Sequence, residues 1–407
     1  MNQIQPAIPQ RERPYPVQIC EVGSPGNRLL KKAQLGLITA LLACVATNSA
    51  DAQSFTLTEL APLAGYTSSF AYSINNAGQV VGYSQGFEGS PYSATLWSGG
   101  SIINLGTLGG TTQSLAEGIN NAGQVVGYSW NNGPANATLW SGGSIINLNA
   151  PGSFGVATGI NNAGQVVGFG WTTDALAYNA TLWSGGSAIN LGPGVPTGID
   201  NAHAALGIND AGQVVGYRNT SGGYSLPILW SGGSIINLGT LGGANGAATG
   251  INGSGQVVGY SQPASNFGYN ATLWSGGKII DLGTVGGPSG AAFGINDSGQ
   301  VVGYSETTSR TANATLWSGG SIINLNTLIP GSEWSEARGI NNRGQIVGVA
   351  YINQLEEAFL LTPNAVPGPI PGAGTLSYLL LGFAGLLAYI KMTWWNTLVS
   401  SISGRVA

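Results

Sequence analysis

At 407 residues the chain has room for two or three ordinary domains, yet only 7% of it is charged, 43% is apolar, and glycine occurs 67 times. So many apolar and aromatic side chains exclude a disordered polymer. Between Ser54 and Pro363 thirteen acidic and five basic residues, with no basic cluster among them, argue against a nucleic-acid partner.

Residues 1–53 read as an export leader. Arg28, Lys31 and Lys32 form a basic region, Leu35 to Ala46 is an apolar run, and Ala50-Asp51-Ala52 offers a small-residue cleavage site. Leu41-Leu42-Ala43-Cys44 also resembles a lipoprotein cleavage box, with cleavage after Ala52 the favoured outcome. Both cysteines, Cys20 and Cys44, precede residue 54, so the rest of the chain has no thiol for a disulfide, a nucleophile or a zinc site.

From Ser54 to Pro363 one unit recurs. Its clearest form is Gly118-Ile-Asn-Asn-Ala-Gly-Gln-Val-Val-Gly-Tyr128, and the glycine-glutamine pair returns at Gly78, Gly123, Gly164, Gly212, Gly255, Gly299 and Gly344. Intervals of 41 to 48 residues suit four-stranded blades. Within one unit, Ala116–Ile119 leads into an Asn120–Gly123 turn, and Gln124–Ser129 follows as a β-branched run, which makes a hairpin. After a variable loop, Asn136–Trp140 alternates apolar residues, Ser141–Gly143 turns the chain, and Ser144–Leu148 makes a fourth strand.

The two ends of the array are complementary. The last unit has a third strand in Glu357–Thr362 but no fourth, while Phe55–Leu60 and Leu63-Ala-Gly65 read as an orphan fourth strand aligned with Leu105, Leu108 and Gly110. The predicted fold is all-β: a seven-bladed β-propeller closed by the N-terminal strand completing the last blade, which pairs edges that an open solenoid would expose.

Beyond Pro363 the composition changes. Val366-Pro-Gly-Pro-Ile-Pro-Gly-Ala-Gly374 is a linker, and 376–390 is a nearly unbroken apolar run followed by Lys391, Trp394 and Trp395. Residues 364–407 are therefore expected to be a linker and a C-terminal hydrophobic helix that meets a membrane.

The repeat, with its G-I-N-x-x-G-Q-V-V-G and L-G-T-L-G-G patterns, resembles the extracellular HAF-repeat proteins of bacteria. The His-Ala-Phe triplet of that family is Asn-Ala-Thr at Asn136, Asn179, Asn270 and Asn313, and Glu357-Ala358-Phe359 keeps its last two members. The tail resembles the PEP-CTERM sorting signals, with Val366-Pro-Gly-Pro369 in place of Val-Pro-Glu-Pro. These resemblances imply an exported protein handled by sorting machinery, and they imply no catalytic residue.

Asparagine and glycine in the Ile-Asn-x-x-Gly turn are there for turn geometry rather than for a cation. The repeated Trp97, Trp140, Trp183, Trp230, Trp274 and Trp317 are expected to pack between blades. Aromatics that break the repeat are the better candidates for ligand contact: Tyr92, Trp130, Trp171, Tyr178, Tyr224, Tyr269 and Trp334, with Phe87 and Phe267 beside them. Carboxylates for an enzyme would have to come from Glu333, Glu336, Glu356 and Glu357 converging with those aromatics. His203 is the sole histidine, expected in an inserted loop, so neither a histidine-ligated metal site nor any cofactor is predicted. The expected function is a non-enzymatic binding or scaffolding module at the cell envelope or extracellular matrix, its partner an extracellular polysaccharide or envelope protein. The alternatives are a polysaccharide-active enzyme and a purely structural matrix protein.

Overall fold

In the computed structural model the described residues are 54–364, apart from 88–89, 132, 150–152, 173–177, 193–202 and 266–267. The leader, both cysteines, Phe267 and the apolar run 376–390 lie outside them. Among the described residues no helix is long and apolar enough to cross a membrane.

Seven four-stranded antiparallel sheets form the blades of a propeller. The first strands are Ser68–Ile74, Gln113–Ile119, Ser153–Ile160, His203–Ile208, Gly242–Ile251, Gly290–Ile295 and Ser332–Ile340. Their C-terminal halves line a central channel. The short fourth strands, such as Ser101–Asn104, lie outermost and are exposed. The chain's first strand, Phe55–Leu60, pairs antiparallel with Leu355–Pro363 from Phe55↔Pro363 to Leu60↔Ala358, so it supplies the missing outer strand of blade 7.

What closes the ring at the axis is the turn asparagine. Each buried turn Asn accepts from its own hairpin backbone through Oδ1, as Asn120 does from Ala122 and Gln124. Its Nδ2 then donates to the carbonyl of the equivalent asparagine in the next blade: Asn75 to Asn120, Asn120 to Asn161, and onward to Asn341, which returns to Asn75 at 2.9 Å. Seven identical bonds make a closed circle, a geometry that an open solenoid does not have. These polar side chains are buried at no net hydrogen-bond loss, because each has a partner on both atoms.

Between blades the core is apolar. Val81, Ala94, Ala116, Ile119, Val125 and Trp140 form one cluster shared by blades 1 and 2. The six repeated tryptophans are 4–7% exposed. The indole of Trp140 donates to the Gly106 carbonyl at 3.2 Å and that of Trp230 to the Leu191 carbonyl at 2.8 Å, which ties these third strands to the loop leaving the preceding blade. They are structural, as their constancy in the repeat implies.

His203 departs from expectation. It is not in a loop but begins the first strand of blade 4, buried and opposite Arg218. Its neighbours Ala204 and Ala205 match the repeat's inward positions, so the burial pattern of the strand extends one residue further back than the sequence suggested.

Candidate functional site

The conserved hairpin hides a variable position. In every blade the pairing of first and second strands slips by one residue, at Ala71/Ser73, Ala116/Gly118, Ala157/Gly159, Ala205/Gly207, Ala248/Gly250, Ala292/Gly294 and Ala337/Gly339. Each slip is a β-bulge whose extra residue is freed from the ladder and re-aimed. Those residues are Tyr72, Glu117, Thr158, Leu206, Thr249, Phe293 and Arg338, and all but Leu206 line one chamber of the channel.

The glycine of each Val-Val-Gly is the other half of this device. A Cβ built on Gly127 would lie 1.9 Å from the Leu115 carbonyl oxygen, and on Gly82 1.8 Å from that of Phe70, because the bulge pushes that carbonyl into the space a side chain would occupy. Only glycine allows the bulge there.

The channel has two chambers. One, of about 220 Å³, is bounded by the bulge residues and the seven isoleucines Ile74 to Ile340. The other, of about 200 Å³, shares those isoleucines and ends in the Asn/Asp turns. The isoleucine collar therefore separates a polar asparagine end from a mixed aromatic and charged end.

At the second end the predicted aromatics collect. Strand direction fixes this: the asparagine turns sit at one end of every blade, and Ser68↔Gln85 or Gln113↔Trp130 pairs mark the other. Tyr92 and Trp334 lie at strand starts, Trp130 and Trp171 at strand ends, and Tyr178, Tyr224 and Tyr269 just before third strands, all at that other end. They do not form one continuous surface. Tyr92 and Trp130 (5.7 Å between centroids) join with Trp334 in a cluster that spans blades 7, 1 and 2 and includes Phe70, Tyr72, Tyr83 and Tyr128. Trp171 and Tyr178 flank Phe169 at 6.4 and 5.2 Å, and the Tyr178 and Tyr217 hydroxyls are 3.1 Å apart. Tyr269 stands edge-on to Tyr260 at 5.1 Å, and Tyr224 is 48% exposed on its turn. Phe87 is 78% exposed.

Sequence reasoning missed the rings that carry these contacts. Tyr83, Tyr128, Phe169, Tyr217, Tyr260 and Tyr304 are the last residues of the repeat's Val-Val-Gly-aromatic, and several of them pack on the loop aromatics: Tyr83 edge-on to Tyr92 at 5.2 Å, Tyr128 tilted on Trp130 at 5.0 Å. Their constancy in the repeat marks them as scaffold, and Tyr83 and Tyr128 also belong to the aromatic cluster of blades 7, 1 and 2.

The charges gather in the same sector. Arg338 lies 4.4 Å from the Phe293 ring centroid, 5.5 Å from Phe70 and 6.0 Å from Tyr72, and its guanidinium pairs with Glu336. Burial pushes Glu117 up to about 7, with Arg338 pulling the other way. Burial raises the Tyr72 and Tyr128 hydroxyls well above their usual range, and the charge of Glu117 raises both further. Glu356 is raised by burial and then by Glu336. Glu357, one residue on, is raised by burial and then by Glu59 on the outer strand, and Glu333 is exposed. The four carboxylates considered for catalysis therefore divide: Glu336 and Glu356 share the mouth, Glu357 turns to the other face of its strand, and Glu333 stands in solvent.

No family model matches the chain, and no curated protein matches it. Among solved structures, TolB from Acinetobacter baumannii is 13% identical over 84% of this chain and 72% of its own, at a TM-score of 0.41. The extracellular domain of a one-component system from B. thetaiotaomicron is 9% identical over 76% of this chain, which spans 40% of that one, at 0.45. A Trypanosoma rangeli sialidase in complex with the inhibitor DANA is 12% identical over 73% of this chain and 55% of its own, at 0.38. Likeness at this level carries neither ligand nor activity across to this chain.

Proposed function

We propose that this chain is a non-enzymatic binding propeller of the cell envelope or extracellular matrix, and that it holds polysaccharide at the channel mouth formed by blades 7, 1 and 2. One observation carries the reading: Tyr92, Trp130 and Trp334 are half-buried in one aromatic cluster with Phe70, Tyr83 and Tyr128, and that cluster reaches the channel through Tyr72. Aromatic faces fixed by packing contact apolar sugar faces with little loss of side-chain freedom. Export rests on the leader and on the PEP-CTERM-like tail, which are also what would bring the chain to sorting machinery and, through 376–390, to a membrane. The test is a survey of the full chain against immobilised extracellular polysaccharides and envelope proteins. Saturable binding to a polysaccharide without its turnover supports the reading, and turnover of any polymer overturns it.

The structural-matrix alternative has an observation of its own. The outer strands expose isoleucine pairs, Ile102 and Ile103, Ile145 and Ile146, Ile235 and Ile236, each 37–45% exposed on an edge that no other strand among the described residues pairs with. Sedimentation of the full chain distinguishes the two: assembly into large particles without a saturable ligand favours the matrix role.

A further inference from the structure

The mouth contains the same arrangement twice, once complete and once lacking a member. The complete copy is internal. Arg338 lies over Phe293, with Phe70 and Tyr72 on its other side, and Glu336 supplies the counter-charge. A cation between aromatic rings with a carboxylate beside it is a recognised way to hold a positive group. The second copy is Glu117. Tyr72 lines the same chamber as Glu117, Tyr128 packs in the same aromatic cluster as Tyr72, and Arg338, on the chamber wall as well, is already paired to Glu336. Among the described residues no hydrogen bond reaches the Glu117 carboxyl. It projects from a β-bulge into the 220 Å³ chamber, so it is enclosed by protein yet open to whatever enters the channel. Glu117 is half-buried on the chamber wall, and a partly desolvated carboxyl without a partner is stabilised when a donor or cation arrives.

Charge decides what kind of guest fits. Two charged side chains line the chamber among the described residues, Glu117 and Arg338, and Arg338 is already paired with Glu336, which leaves the carboxyl of Glu117 as the unpaired charge. A second anion would meet repulsion, while a positive group is drawn in. The space, about 220 Å³, is that of a small molecule or one residue of a polymer. Glycines let the blades close up around it: Gly118, Gly159, Gly207, Gly250, Gly294 and Gly339 line the wall beside the bulges, and a Cβ on Gly118 would press on Val126 at 3.2 Å and on the next blade at 3.4 Å.

We infer that the chamber is a subsite for an organic ammonium group, and specifically for a free amino sugar, whose ammonium pairs with Glu117 between Tyr72 and Tyr128 while neighbouring sugar rings rest on Tyr92 and Trp130. The choice of a sugar amine rests on the polysaccharide reading of the mouth. The ammonium itself follows from Glu117 and its rings.

The experiment is calorimetry of the full chain with a glucosamine trimer and with its N-acetylated counterpart, which keeps the rings and removes the charge. The glucosamine trimer is expected to bind at least ten-fold more tightly. Glu117→Gln keeps size and hydrogen-bonding capacity in a side chain that makes no bond in the fold, and a thermal melt confirms that it folds. It is expected to abolish that ten-fold preference and leave the N-acetylated trimer unchanged. Equal binding of the two trimers, binding of neither, or a preference that survives Glu117→Gln overturns the subsite. Trp130→Ala separates the two claims. If it removes binding of both trimers while Glu117→Gln changes nothing, the aromatic mouth stands and the ammonium subsite falls. If Trp130→Ala changes nothing while Glu117→Gln removes the preference, the subsite stands and the mouth reading falls.

Discussion

The Asn341 side-chain amide donates to the Asn75 carbonyl at 2.9 Å, joining residues 266 positions apart and completing a circle of seven equal bonds. The same amide bonds Gln345, and its oxygen accepts from Arg343 and Gln345. Asn341→Ala removes all of these from a buried site and leaves donors without acceptors, a loss on the order of 2–4 kcal/mol. Asn342→Ala, one residue on and exposed, is expected to cost under about 1 kcal/mol. Urea denaturation of the two variants checks this, and equal losses would contradict a closing role for Asn341.

Deletion of residues 54–60 is expected to expose the edge of Leu355–Pro363 and to free Ser69 Oγ, which now bridges the Leu60 carbonyl and the Ala358 amide at 2.7 and 3.0 Å. An open edge associates with other chains. Light scattering should show concentration-dependent association, reversed by adding a peptide of the deleted strand. A monodisperse, cooperatively melting deletion variant would show that the strand is dispensable.

Gly127→Ala places a methyl where the Leu115 carbonyl oxygen lies. The bulge must then flatten, which withdraws Glu117 from the chamber, at a cost on the order of 1–3 kcal/mol. Gly142→Ala, with open space around its Cβ, differs because only its positive φ of 56° resists the change. Thermal melts of both, with Gly127→Ala the less stable, check the bulge account.

Stability should depend on pH through Glu117. Its carboxyl is pushed up to about 7 in the fold against an ordinary 4.5, so between those values the folded chain holds a proton that the unfolded chain has lost. Stability is then full below about pH 4.5, falls as pH rises, and is lowest above about 7, a total on the order of 2–3 kcal/mol once the open channel is allowed for. Glu117→Gln cannot lose that proton. It is expected to match the parent near pH 4 and to be more stable at pH 8, as measured by chemical denaturation at both values.

Much of the fold was legible because it is written seven times. Complementary ends, Phe55–Leu60 and a last unit without its fourth strand, gave away closure, and the tryptophans beside Ser-Gly-Gly turns gave away blade packing. The bulge was not legible, because Ala116-Glu117-Gly118 reads as plain strand and only pairing shows the slipped register. A signal was nonetheless present: one position in an otherwise constant hairpin runs Tyr72, Glu117, Thr158, Leu206, Thr249, Phe293, Arg338. Variation inside a fixed frame marked the channel as much as the loops did. The loop ends of the strands carry Tyr92, Trp130 and Trp334, whereas Glu117 and Arg338 sit inside the repeated hairpin, on the channel wall.

The most direct test of the binding mouth is the affinity of the full chain for its captured polysaccharide in three forms: parent, Tyr92→Ala with Trp130→Ala, and Tyr224→Ala. Loss of stacking on the first pair is expected to weaken binding at least ten-fold, a change of about 1.4 kcal/mol or more. Tyr224→Ala, exposed and apart from the cluster, should bind as the parent does. Undiminished binding by the double variant, or an equal loss in Tyr224→Ala, would contradict the mouth of blades 7, 1 and 2 as the ligand site.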